Sequence, residues 1–271
     1  MAQSGLHTYI AFKLRSKTGE KPWFFYSFLF GSILPDIDIV ISYLLKIKNL
    51  LYYNNSNDNI YFLNSNYWFN YNLSIFHSII TLSLIYLSLL VYYEVKKKKS
   101  ILNIANGIFL GISLHILVDI LFFFRPVQIL WPLHLIDIQP INIWGQFNIP
   151  YFFISLYLSL EFLFFRLIAF YLTEIVLNNK GTGNTYIKML SKMMKIEGIL
   201  FVLFIFIFQS PSHKTYILIL YGFIYSVSLL STIYLIYKIR FNINNFTLSI
   251  ENRLDDKMID NIRKSTIDNI G

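Results

Sequence analysis

Cysteine is absent from this 271-residue chain, which excludes disulfides, thiolate metal ligands and a cysteine nucleophile. Any metal site must therefore draw its ligands from histidine and carboxylate side chains. Charged residues are also scarce, at 14% of the chain, whereas hydrophobic residues make up 55%. That balance is too apolar for an ordinary soluble domain and is typical of a polytopic membrane protein.

Several catalytic motifs are missing as well. The sequence has no G-x-S-x-G, no P-loop and no G-x-G-x-x-G, so it gives no support to a serine hydrolase, an NTPase or a dinucleotide-binding enzyme. The net charge of +8 would suit a nucleic-acid-binding protein, but the basic residues lie between apolar segments, where membrane topology accounts for them. We therefore expect no nucleic-acid partner.

The apolar segments predict an all-α fold, a polytopic transmembrane helical bundle of about six spans, because a helix needs about 20 apolar residues to cross the bilayer core. The predicted spans cover residues 23–45, 74–95, 101–124, 149–178, 196–210 and 215–237. We expect three regions, namely a membrane-embedded metal-site half over residues 1–145, additional transmembrane helices over 146–240, and a cytoplasmic tail over 241–271.

Basic residues distinguish the two ends of this bundle. One end carries most of them, namely Lys13, Arg15, Lys17, Lys21, Lys96, Lys97, Lys98, Lys99, Lys180, Lys188, Lys192, Lys195, Lys238 and Arg240. The other end has Lys46, Lys48, Arg125 and Lys214. The positive-inside rule places the first end in the cytoplasm. We therefore predict a multi-pass protein of the cell (inner) membrane with both termini cytoplasmic.

Two ionisable residues interrupt the apolar stretch "GISLHILVDILFFF", namely His115 and Asp119. Their four-residue spacing puts both side chains on one face of a helix. Ionisable groups at membrane depth are costly and usually mark a functional interior.

Three more polar residues are predicted at the same side of the membrane. His77 lies about one turn into the span before that of His115. Asp36 and Asp38 follow Pro35 in "GSILPDID". The proline is expected to interrupt the helix and free backbone groups, which is tolerable where those groups line a polar cavity.

A divalent metal, zinc first, is the predicted cofactor of this group. Zinc binds histidine nitrogen and carboxylate oxygen, and a catalytic zinc keeps one position for a water whose pKa it lowers toward 7. Three or four ligands from Asp36, His77, His115 and Asp119 would suffice. The alternatives are that His115 and Asp119 hydrogen-bond each other, that His77 faces headgroups, and that the aspartates cap the helix after the proline.

His7 and Glu161 are further candidates. Residues 5–15 and 23–34 can form an antiparallel helical hairpin that sets His7 near Asp36, although the charge count opposes an N-terminus on that side. Glu161 and Arg166 lie within the fourth predicted span, where charges must face the interior and usually pair. They are expected to form a structural ion pair, or Glu161 assists the metal or water while Arg166 meets a phosphate.

The set "GLHTYIAF", "GSILPDID", "FHSI", "GISLHILVD" and "ILWPL" resembles the YdjM-like family of membrane-bound metal-dependent hydrolases. The order and rough spacing agree over about half the chain. The resemblance implies that the metal residues are His7, Asp36, Asp38, His77, His115 and Asp119. The family is in turn distantly similar to zinc-dependent phospholipase C enzymes, which suggests hydrolysis of a phosphodiester or a lipid ester.

The chain departs from the family pattern at one place. In the family pattern that this chain resembles, a His-Arg-Gly motif comes a few residues before the His-Ser. This chain reads "NYNLSIFHSI" there, with no histidine or arginine before the His-Ser. A substrate-binding or catalytic cation is therefore missing there, and Arg125 could replace it.

Three functions follow from these patterns. The first is a membrane-embedded metal-dependent hydrolase in which Asp38 or Glu161 acts as general base on a membrane lipid or phosphodiester substrate near the outer leaflet. The second is a proton- or cation-linked transporter that uses the same residues. The third is a noncatalytic membrane scaffold with a structural metal. The sequence carries no signal for a particular oligomeric state.

Overall fold

The computed structural model describes residues 4–14, 21, 23–38, 40–41, 76–122, 151–178, 184–208 and 214–243. These residues form α1 (Ser4–Lys13), α2 (Phe24–Ile33), a 3-10 helix (Leu34–Asp36), α3 (Ile79–Lys96), α4 (Lys99–Phe122), α5 (Tyr151–Asn178), α6 (Asn184–Ile207) and α7 (Lys214–Lys238). No strand occurs in the described ranges, which confirms the all-α prediction for that part of the chain.

Three of these helices are long and apolar enough to cross a membrane, over Ile79–Lys96, Lys99–Leu121 and Ile219–Lys238. A helix satisfies all its interior backbone hydrogen bonds within itself, so these apolar segments can fold as helices in hydrocarbon. The described residues thus support three spans, and the total of about six stays a prediction.

α6 differs from the span predicted at residues 196–210, because it begins at Asn184. Lys188, Lys192 and Lys195 therefore lie on a helix and not in a loop. Their spacing of four and three residues keeps them on one exposed face, whereas Leu190 and Met193 are buried on the other. Hydrophobicity alone does not reveal such an amphipathic segment.

α2 and α4 run in the same direction and pack at backbone contact. A Cβ atom on Gly107 would lie 2.5 Å from the carbonyl oxygen of Phe24, and one on Gly111 would lie 2.4 Å from that of Phe28. Small residues allow such close approach between membrane helices. This contact fixes the height of the 3-10 helix relative to the second half of α4.

Gly111→Ala is expected to force α2 and α4 apart, because no real Cβ atom tolerates a 2.4 Å approach to a backbone oxygen. Overpacking of this kind costs about 1–3 kcal/mol. Thermal unfolding in detergent should show a lower midpoint for this variant. Leu110→Ala is the matched control, since Leu110 is 45% exposed on the same helix, and its midpoint should stay near that of the wild type.

α1 packs against α2, α4 and α5. The rings of Phe12 and Phe25 are 5.8 Å apart, near the ends of the two helices that face away from Asp36, so α1 and α2 form the antiparallel hairpin that the sequence predicted. Gly5 lies against Phe164 of α5. One hydrophobic core joins α1, α2, α5, α6 and α7, so helices of the second half hold α1 in place.

Candidate metal centre

Five metal-capable side chains come from four segments of the chain. His7 lies on α1, Asp36 ends the 3-10 helix, His77 precedes α3, and His115 and Asp119 lie on α4. Four of them are at most 4% exposed, and the side chain of His77 is 12% exposed. Burial of so many ionisable groups requires mutual pairing or a metal ion.

Three donor atoms form a nearly equilateral triangle. The Nε2 atoms of His77 and His115 are 3.2 Å apart, and each lies 3.4 Å from Oδ2 of Asp119. Ligands about 2.0 Å from a tetrahedral zinc lie about 3.3 Å from one another. The triangle therefore matches one face of a zinc coordination sphere.

A second group overlaps the first. His7, Asp36 and His115 offer ligand atoms that lie within 4.8 Å of one another. The Oδ1 atom of Asp119 is 3.1 Å from Nε2 of His7, whereas its Oδ2 atom faces the triangle described above. Asp119 thus presents one oxygen to each group and connects them.

Hydrogen bonds orient two of the histidines. The Nδ1 atom of His115 lies 2.8 Å from the carbonyl oxygen of Ser32, so Nδ1 donates its proton there and Nε2 is left to bind a metal. Because Nε2 has one lone pair, His115 can serve only one of the two groups at a time. This assignment follows from the backbone acceptor, which cannot donate.

Asp38 supports His77 from the opposite side of the ring. Its Oδ2 atom lies 3.6 Å from Nδ1 of His77 and accepts the backbone N–H of Phe76 at 3.1 Å. Ser78 accepts the N–H of Ile80 and so begins α3 directly after His77. A carboxylate behind a histidine is the usual device that orients a metal ligand.

Four buried polar atoms of the group make no hydrogen bond, although Nε2 of His7 and Oδ1 of Asp36 lie near Asp119 and His115. Both carboxylate oxygens of Asp36 and both ring nitrogens of His7 are buried and accept or donate no hydrogen bond. Buried polar groups are otherwise nearly always satisfied. Two carboxylates and three histidines of this kind are a suitable donor set for a divalent metal such as zinc.

The same geometry decides between the alternatives left open by the sequence. Asp36 makes no hydrogen bond, so the interpretation of Asp36 as a helix cap is wrong. His77 lies among metal-capable atoms and is largely buried, which favours the ligand interpretation over the headgroup-facing one. His115 and Asp119 do meet each other, but both also meet His77, so their pairing is one part of a larger cluster.

Glu161 and Arg166 do not form the predicted ion pair. The Oε1 atom of Glu161 accepts the backbone N–H of Gly5 at 2.9 Å, at the start of α1, whereas Arg166 is exposed. Five residues along a helix separate the two side chains by about 140°, which explains why they point apart. Arg125 lies outside the described residues.

Two contributions to the centre escaped the sequence interpretation. One is the carbonyl of Ser32, which has no sequence signature. The other is the glycine contact between α2 and α4, which does have one, since Gly107 and Gly111 form a G-x-x-x-G pattern facing Ser27 and Gly31. That spacing is typical of closely packed membrane helices.

Comparison with known proteins identifies the family of the chain. The family model described as YdjM inner membrane protein matches residues 2–239, which is most of the chain and includes the whole cluster. No curated protein and no solved structure matches the chain significantly.

Proposed function

Because the chain belongs to the YdjM inner membrane protein family, we propose that it is a membrane-embedded, metal-dependent hydrolase that cleaves a phosphodiester or a lipid ester. The observation that carries the proposal is the triangle of His77, His115 and Asp119, whose edges of 3.2 to 3.4 Å suit ligands of one metal. His7 and Asp36 supply the remaining donors.

A bound divalent metal, zinc in the first instance, would supply an activated water and polarise the ester. Residues of the chain orient the metal ligands. Asp38 holds His77 in orientation, and the carbonyl of Ser32 holds the proton of His115 on Nδ1. We assign the orienting role to Asp38 ahead of the general-base role, because its carboxylate lies behind the ring of His77.

The depth of the cluster supports a lipid substrate. Twenty residues of α4 separate Lys99 from Asp119, a rise of about 30 Å, which equals the thickness of the hydrocarbon core. With the lysines at the cytoplasmic surface, the cluster lies near the headgroups of the outer leaflet. Lipid phosphodiesters and esters lie at that depth. Because His7 belongs to the cluster, this orientation also places the start of α1 toward the outer side, against the prediction of a cytoplasmic N-terminus.

A transporter remains the second candidate, and one observation favours it. Glu197, Ser228 and Thr232 are buried in the lysine-bearing half of the bundle. Buried polar residues through the full depth of a bundle are typical of a proton or cation pathway. Both candidates use the same metal-capable cluster, so activity must distinguish them.

Metal removal tests the hydrolase. In vesicles of phosphatidylglycerol and phosphatidylethanolamine, the purified full chain with added Zn²⁺ should release water-soluble phosphate ester or fatty acid. A chelator should abolish the release, and Zn²⁺ should restore it. His115→Ala should lower the rate at least about 1,000-fold, because it removes a donor that belongs to both groups.

Leu117→Ala is the matched control, since Leu117 lies between the two ligands of α4 but is 54% exposed. It should keep the wild-type rate. Stoichiometric metal in the wild type without any metal-dependent release would reject hydrolysis of these lipids, and metal-dependent ion flux in the same vesicles would then favour the transporter.

A further inference from the structure

A second polar feature lies away from the metal centre, on the surface shared by α5 and α6. Arg166 is exposed near the middle of α5, and its guanidinium lies directly over Gly198 of α6. A Cβ atom at Gly198 would be 2.7 Å from Nη1 and 3.4 Å from Cζ of Arg166. The glycine therefore leaves a notch in α6 that the guanidinium occupies.

This guanidinium has no anionic partner among the residues that the structure describes. Glu161, on the same helix, is buried against Gly5. No hydrogen bond or ion pair of Arg166 occurs within the described ranges. A charged side chain on a membrane helix normally pairs with an opposite charge or reaches the polar boundary. We therefore expect this exposed arginine to bind an anion from outside the chain.

The charges of α6 end close to this notch. Charged residues extend along α6 as far as Glu197, and none occurs from Gly198 to Ile207. Lys195 is three residues, or about 5 Å, from Gly198, so its ammonium and the guanidinium of Arg166 can reach the same anion. Arginine can span that distance by snorkelling.

The exposed face of α6 changes character at the same level. Lys188, Lys192 and Lys195 are exposed along one stripe, and the stripe continues with Ile199, which is 64% exposed, and Phe206, which is 71% exposed. Basic groups are thus followed by apolar surface, in the order in which a phospholipid presents its phosphate and its acyl chains.

We propose that Arg166, Gly198 and Lys195 form a binding site for the phosphate of an anionic phospholipid, with the acyl chains along α6 beyond Ile199. The guanidinium offers paired N–H donors that match two phosphate oxygens. The neighbouring lysines add attraction to an anionic leaflet. This site lies outside the metal-capable cluster and does not depend on the proposed hydrolysis.

Native mass spectrometry of the full chain tests the site with two probes, phosphatidylglycerol and phosphatidylcholine. The wild type should retain phosphatidylglycerol in preference. Arg166→Gln should lower its affinity about tenfold, the usual worth of charge-assisted hydrogen bonds. Gly198→Leu should do the same although it keeps every charge, because its side chain displaces the guanidinium from the notch.

Lys238→Gln is the control, because it removes one exposed cation at the lysine-bearing end but away from the notch. It should keep the preference. Equal loss in this variant, or undiminished retention in both notch variants, would overturn the proposal. If the wild type is a dimer, and Arg166→Gln is a monomer that still retains lipid, then the anion that meets Arg166 belongs to a second copy of the chain and the proposal is wrong. The thermal midpoint of each variant shows whether it is folded. If a notch variant does not fold, Arg166→Lys is tested in its place, because it keeps the charge but lacks the planar donors.

Discussion

Asp119→Asn is expected to abolish metal binding, because this one carboxylate meets all three histidines of the cluster. Its Oδ1 atom is 3.1 Å from His7, and its Oδ2 atom is 3.4 Å from both His77 and His115. An amide replaces one of these oxygens by an NH₂ donor and removes the negative charge. The triangle would then lose one of its three donors, and the group of His7, Asp36 and His115 would lose the carboxylate oxygen beside His7.

Elemental analysis after equilibration with Zn²⁺ and removal of free metal measures this effect. The wild type should carry at least one zinc per chain, and Asp119→Asn should carry less than about a tenth of that. Asp38→Asn should keep the metal but bind it about 10- to 100-fold more weakly, as expected for a carboxylate behind a ligand. Comparable metal content in the wild type and Asp119→Asn would rule out the centre described here.

Glu94→Gln is the control for loss of a carboxylate, because Glu94 is exposed near the opposite end of α3. Its metal content should equal that of the wild type. A matching loss in this variant would show nonspecific binding of zinc to surface carboxylates.

Local pattern was enough to predict part of the cluster. The spacing of His115 and Asp119 needs only helical periodicity, and Pro35 marks the break that carries Asp36. Placing His77 beside them needed only equal depth in adjacent antiparallel helices. For His7, the hairpin prediction and the charge count disagreed. The described side chains follow the hairpin, because contacts between helices settle the position of α1 more strongly than loop charges.

Contacts between distant segments could not be predicted in this way. Glu161 is 156 residues from Gly5, and no periodicity within α5 indicates which helix terminus its carboxylate will meet. Every residue type has a backbone carbonyl, so nothing in the sequence indicates that the carbonyl of Ser32 accepts a hydrogen bond from His115. The lysine-bearing first half of α6 was not predicted as helix, because hydropathy averages over both faces of a helix.

The contact between Glu161 and Gly5 leads to the second prediction, that Glu161→Ala weakens metal binding from outside the cluster. The carboxylate accepts an N–H of the first turn of α1, where the helix dipole favours a negative group. Both residues are buried, so removal leaves the N–H unsatisfied at a cost of about 1–3 kcal/mol. α1 would lose its anchor, and His7, two residues further on, would lose its position.

Glu161→Gln distinguishes this positioning role from the general-base role that the sequence suggested. The amide oxygen can still accept the N–H of Gly5, so zinc affinity and the thermal midpoint should recover to near wild-type values in Glu161→Gln and remain low in Glu161→Ala. Phe170→Ala is the control for truncation on α5, since Phe170 is 57% exposed. A general base would give a different result, because Glu161→Gln would then bind zinc normally and lose lipid hydrolysis. Competition with a zinc chelator, run beside the vesicle assay, separates the two roles.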